Sequence, residues 1–88
     1  MTKKDVISRI IKLVEKESGE TEVCKNDVIS LWTVNEYNNN YSLLSSLGIV
    51  SVLVSIEREF DIEIDDEEMM QFSTIIELAE IVYKKLES

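Results

Sequence analysis

Eighty-eight residues, 44% of them apolar, suffice for one domain with one modest core, and exclude both a second folded unit and a disordered tail. Nine Lys and Arg against eighteen Asp and Glu give a formal net charge of −9. That surface repels phosphate backbones, which argues against nucleic acid and makes basic protein surfaces the expected partners.

With no proline and only Gly19 and Gly48 as glycines, the chain has few strand breakers, so helices joined by polar loops are the natural reading. Cys24 is the sole cysteine, which precludes an internal disulfide, and nothing points to an oxidising compartment. Arg9 and Lys12 interrupt the apolar residues behind Lys3 and Lys4, so no signal-peptide core forms. No apolar run approaches a membrane span. The expected location is the cytoplasm.

The first predicted helix covers residues 3 to 17. Thr2 and Asp5 have the spacing of a capping box; Val6, Ile7, Ile10, Ile11, Leu13 and Val14 recur at helical spacing, and Ser18-Gly19 supplies the stop. Residues 19 to 44 carry weaker signals. Val28, Ile29, Leu31 and Trp32 form an apolar knot that reads as a short helical turn on the core. Residues 36 to 41, with Asn38-Asn39-Asn40 among them, read as exposed loop. Trp32 and Tyr41 are expected to anchor core or loop. An ordered loop this long in so small a domain is often functional.

A second helix is predicted from Ser46 to Phe60, with Ile49, Leu53, Ile56 and Phe60 on one stripe and Ser45 as its N-cap. Leu47, Val50 and Val54 fall on a neighbouring face. Either this helix is buried on more than one side, or it shows an apolar docking patch near its start. Asp61 to Ile64 alternates like a strand but has nothing to pair with, and the acidic run on to Glu68 reads as solvated surface. Residues 66 to 71 predict a short third helix packed by Met69 and Met70. Thr74 and Glu77 suggest another capping box. It opens a last helix with Leu78, Ile81, Val82 and Leu86 inward and Lys84 and Lys85 in the final turn.

Histidine is absent, which removes Ser-His and Cys-His nucleophile pairs and the usual zinc ligands. Asp61, Glu63 and Asp65 mimic the first ligands of a calcium loop, but Asp66 stands at the glycine position and Phe72 at the closing glutamate. The chain is therefore expected to be no enzyme and to hold no metal.

Leu43 to Val50, running into Ile56-Glu57-Arg58-Glu59-Phe60-Asp61-Ile62-Glu63-Ile64, resembles the acyl carrier protein family. In that family an Asp-Ser-Leu or Asp-Ser-Phe tripeptide opens the second helix, which ends in an acidic stretch with a phenylalanine. The resemblance runs without gaps from about Leu43 to Leu86 and includes Phe72-Ser73-Thr74-Ile75, similar to the family's entry into its last helix. The segment around the double leucine also resembles D-alanyl carrier proteins and the stand-alone carriers of peptide synthetase systems.

The resemblance implies an all-α four-helix carrier-protein bundle with a short third helix and a long loop between helices one and two. It implies a 4'-phosphopantetheine arm from coenzyme A on Ser46, counted back from Phe60, holding an acyl or aminoacyl/peptidyl group as a thioester. Partners would be a phosphopantetheinyl transferase, an acyl- or aminoacyl-loading ligase and downstream transferases or synthases. They would meet Leu47, Val50 and Val54, with Glu57 and Glu59 adding charge. Met1 and the lack of a flanking linker suggest one free-standing, monomeric carrier domain over residues 1–88. Ser45 stands where the family has aspartate, Ser51 where fatty-acid carriers typically have glutamate, and Asp65 where they commonly have proline. The first departure keeps an alternative open, a carrier-like helical adaptor that is never modified and acts only by binding proteins.

Overall fold

Thr2 starts the first helix, α1 (Lys3–Ser18), in the computed structural model, which describes residues 1–29 and 43–87. The Thr2 side chain accepts the Asp5 amide and the Asp5 carboxylate accepts the Thr2 amide, so two orphan donors are satisfied reciprocally. Those bonds hold the Asp5 carboxyl below the ordinary aspartate range. Gly19, at φ 77°, closes the helix in the left-handed conformation, and its amide reaches the Glu15 carbonyl at 2.9 Å. Val6, Ile10 and Val14, one turn apart, are fully buried and face both later long helices.

Three further helices follow among the described residues: α2 (Ser46–Phe60), α3 (Asp66–Met69) and α4 (Ile75–Glu87). The all-α expectation holds, as does the short third helix. The core joins the α1 stripe to Ile49, Val52, Leu53, Ile56 and Phe60 of α2 and to Ile75, Leu78, Ala79 and Val82 of α4. Ile29, Leu44, Ile64 and Phe72 close it from the connections. Each aliphatic side chain so buried contributes about 1.5–3 kcal/mol against exposure.

Asp61 ends α2 in the left-handed region at φ 56°, a conformation that Asp tolerates better than most non-glycine residues. The alternating stretch to Ile64 is a connection, not a strand. Asp65 then caps α3 through a reciprocal pair with Glu68, which explains how a residue other than proline serves there. Glu68 also pairs with Lys85 at 2.9 Å, tying α3 to the end of α4. The rest of the acidic run lies exposed, apart from half-buried Ile62 and buried Ile64.

Three expectations need correction. Val28 and Ile29 form no helical turn; Val28 makes an antiparallel bridge with Thr74, and the Ile29 amide donates to the Ser73 carbonyl at 2.7 Å. Extended backbone here pairs the Ile29 amide with a carbonyl at the entry to α4, so both groups are satisfied. Met70 is 60% exposed and only Met69 packs, because α3 is too short to bury both. Leu86 lies exposed in the last turn of α4, and Ile81 is half-buried. Leu31, Trp32 and the loop of residues 36 to 41 lie outside the described residues.

The bridge region decides where α2 begins. The Ile75 amide donates to the Asp27 carbonyl at 3.2 Å and the Ile76 amide to Lys25 at 2.8 Å. On the return side the Leu43 amide donates to the Val28 carbonyl at 2.9 Å. The two ends of the long connection are thereby fastened beside each other, and Leu44 drops into the core immediately before the helix start.

Glu77 clasps the same junction. Its Oε1 accepts the Ser73 and Thr74 amides, both at 3.0 Å, and their hydroxyls at 2.9 and 3.1 Å, while Thr74 Oγ1 accepts the Glu77 amide. These bonds, the Ser73 amide foremost, hold its carboxyl below the ordinary glutamate range. A carboxyl lowered by folding stabilises the fold above its unfolded value and loses that contribution as pH falls through the folded one. Glu77→Gln is therefore expected to lower the thermal midpoint at neutral pH, with the gap to wild type closing as pH falls into the carboxylate range. Thermal unfolding of both proteins across that range checks it.

Candidate functional site

The site is built at the first turn of α2. Ser45 adopts an extended conformation (φ −75°, ψ 173°), and its side chain accepts the Gly48 amide at 3.1 Å. The cap expected of Ser45 is present, supplied by a neutral hydroxyl. Ser46 is the first helical residue. The first turn contains no acidic residue, and its leading amides have no carbonyl partners within the helix. A phosphodiester at this point would meet aligned N–H groups and no like charge in that turn.

The two readings of the apolar second face are decided in favour of a patch. Leu47 is 84% exposed, Val50 43% and Val54 40%, whereas Ile49, Val52 and Leu53 between them are buried. Steps of three and four bring Leu47, Val50 and Val54 onto one outward stripe. Glu57, three residues past Val54, lies at the Val50 edge of that stripe, and exposed Glu59 lies on another side of the helix. The Glu57 carboxylate accepts the Ile64 amide at 2.9 Å, and Glu59 lies 3.7 Å from Arg9 of α1. Both carboxylates are engaged within the molecule.

Arg58, between them in sequence, received no role from sequence reasoning. It is exposed and continues the stripe by steps of four, three and four through Leu47, Ser51 and Val54. Extending the apolar series by one more turn was the signal available for it.

The comparisons bear on this helix start. The family described as "Phosphopantetheine attachment site" matches residues 44–82, from just before Ser45 through most of α4. A protein named acyl carrier protein homolog, from Mycoplasma pneumoniae, is 30% identical over 78 residues, covering 89% of this chain and 84% of that protein. The chain belongs to the acyl carrier protein family. No solved structure matches it.

Membership makes the chain a carrier rather than a catalyst, with a domain that is the site of covalent 4'-phosphopantetheine attachment. Carriers of this kind interact with a phosphopantetheinyl transferase and with further enzymes. Among the described residues no helix is long and apolar enough to cross a membrane, and no cluster of His, Cys, Asp or Glu could hold a metal ion.

Gly48 has two sequence-level readings, clearance for the arm or close packing against the loop. A Cβ added there would lie 3.4 Å from both Leu44 Cβ and Ser45 Oγ, in ordinary contact with the preceding residues. Its missing side chain faces the loop. Gly48→Ala is therefore expected to keep or raise stability, by up to about 1 kcal/mol from helix propensity, and to leave phosphopantetheine uptake unchanged. Denaturant unfolding and intact mass check both; slowed uptake on a stable fold would mean that the glycine serves the arm.

Proposed function

We propose that Ser46 bears the 4'-phosphopantetheine arm and that residues 1–88 work as a single free-standing, monomeric carrier domain in the cytoplasm. The observation that carries the choice of serine is the cap. The Ser45 oxygen accepts the Gly48 amide, and an arm on that oxygen would crowd and weaken the bond that starts α2, whereas Ser46 is outside that bond.

The arm ends in a thiol that holds an acyl or aminoacyl/peptidyl group as a thioester. The chain's own contribution is a helix start that suits an anion, and a tether that raises the local concentration of the held group at each enzyme visited. Leu47, Val50 and Val54 form the face that partners read: the transferase, a loading ligase and downstream transferases or synthases. The uncharged first half of α2, with Ser51 exposed on it, supports an aminoacyl or peptidyl cargo over a fatty acyl one.

Intact mass after incubation with coenzyme A and a broad-specificity transferase tests the carrier reading; the expected result is a gain of one phosphopantetheine. Loading by aminoacyl and by fatty-acyl ligases then tests the cargo, and acceptance of fatty acyl groups alone would sink that part. Ser45 in place of aspartate favours a second reading, the unmodified adaptor. A chain that gains no mass with any transferase, including that of its own cell, would be such an adaptor.

A further inference from the structure

The start of α2 is held from a distant part of the chain. Residues 24 to 27 form a closed turn: the Asp27 amide donates to the Cys24 carbonyl at 3.0 Å, and the Asp27 carboxylate accepts the Cys24 amide at 2.8 Å. That turn leads into Val28, which bridges to Thr74, and Ile29, whose amide donates to the Ser73 carbonyl. The Val28 carbonyl in turn accepts the Leu43 amide at 2.9 Å. Leu44 is buried next, and its side chain lies against the first turn of α2, where a Cβ on Gly48 would meet Leu44 Cβ at 3.4 Å and Cδ2 at 3.5 Å. The path ends at Ser45 and Ser46. At its other end, one carboxylate oxygen of Glu77 accepts both the amides and the hydroxyls of Ser73 and Thr74.

Resting on the reading of Ser46 as the modified residue, we infer that Glu77 is a positioning residue for phosphopantetheine attachment. Its clasp on Ser73 and Thr74 fixes, through Val28 and Leu43, where the first turn of α2 stands. The clasp exceeds what a helix cap needs. In a capping box the carboxylate reaches back to the N-cap amide, here that of Thr74. Glu77 also takes the Ser73 amide at 3.0 Å and its hydroxyl at 2.9 Å, and Ser73 is the residue whose carbonyl receives Ile29. With the carboxylate gone, these donors turn to water, the backbone at Ser73 and Thr74 is free to shift, and its hold on Val28 and Ile29 loosens. Hydrogen bonds and packed side chains in such a chain couple its ends by roughly threefold to tenfold in an equilibrium. The body of α2 stays anchored in the core by Val52, Leu53 and Ile56, so the loosening concentrates on the first turn.

The test uses the full chain with coenzyme A and the purified transferase of the same organism, and amide hydrogen exchange read by NMR on the unmodified chain. Glu77→Ala is expected to speed exchange of the Leu43 amide about tenfold and of the Gly48 amide several-fold, and to lower kcat for modification about fivefold with KM little changed. Glu77→Gln, whose amide oxygen can still accept from Ser73 and Thr74, is expected to recover most of both. Asp5→Ala removes a comparable carboxylate bond, that to the Thr2 amide at the start of α1, without touching the path. It is expected to lower the thermal midpoint yet leave Leu43, Gly48 and kcat at wild-type values. Wild-type exchange at Leu43 and Gly48 in Glu77→Ala, an unchanged kcat there, or an equal kcat loss in Asp5→Ala would overturn the inference. A wild-type chain that is never modified, or is modified at another serine, would instead overturn the reading of Ser46, and it shows itself before any variant is compared.

Discussion

Ser46→Ala is expected to abolish phosphopantetheine uptake altogether, while Ser45→Ala keeps it on a less stable fold. The two hydroxyls are adjacent in sequence but differ in duty. Ser45 precedes the helix in extended conformation and accepts the Gly48 amide, so its loss removes an N-cap and costs about 1 kcal/mol. Ser46 is the first helical residue and supplies no cap. Its replacement by alanine, a strong helix former, should leave the fold intact while removing the nucleophilic oxygen. Intact mass and urea unfolding on the two variants read the two effects separately. Uptake lost in Ser45→Ala and kept in Ser46→Ala would mean a carrier whose arm sits one residue earlier.

Phe72→Ala is expected to cost about 3–5 kcal/mol, the largest stability loss available from one substitution here. Phe72 is fully buried, in the short link between α3 and α4, and a cavity at that point has packed side chains around it. A domain of this length has roughly 4–13 kcal/mol of stability in total, so the variant approaches or crosses the unfolding threshold. Leu47→Ala supplies the contrast. Leu47 is 84% exposed, and its truncation is expected to move stability by less than about 0.5 kcal/mol while slowing modification by the transferase. Thermal unfolding of both variants checks the difference; a large loss in Leu47→Ala would mean that the patch belongs to the core.

Much of this fold is legible in the chain because its signals are local. The capping pairs Thr2 with Asp5 and Thr74 with Glu77 need only a spacing of three, and both occur. The core stripes Val6–Ile10–Val14 and Ile49–Leu53–Ile56–Phe60 follow from helical periodicity, and all seven side chains are buried. The serine cap and the bounds of α2 likewise lie in the order of residues, as does the resemblance that points to Ser46.

Tertiary contact decided the rest, since burial depends on what lies across from a residue and not on its neighbours in sequence. Leu47, Val50 and Val54 are as apolar as the buried residues of α2, yet no element among the described residues covers them, so they form a surface. Leu86 and Met70 fit the inward pattern and still lie exposed, each at the end of its helix. Val28 becomes a bridge only because Thr74, forty-six residues later, brings its backbone alongside. Glu57 looks like surface charge in the chain, and the fold brings its carboxylate to the Ile64 amide, while Glu59 stays exposed 3.7 Å from Arg9.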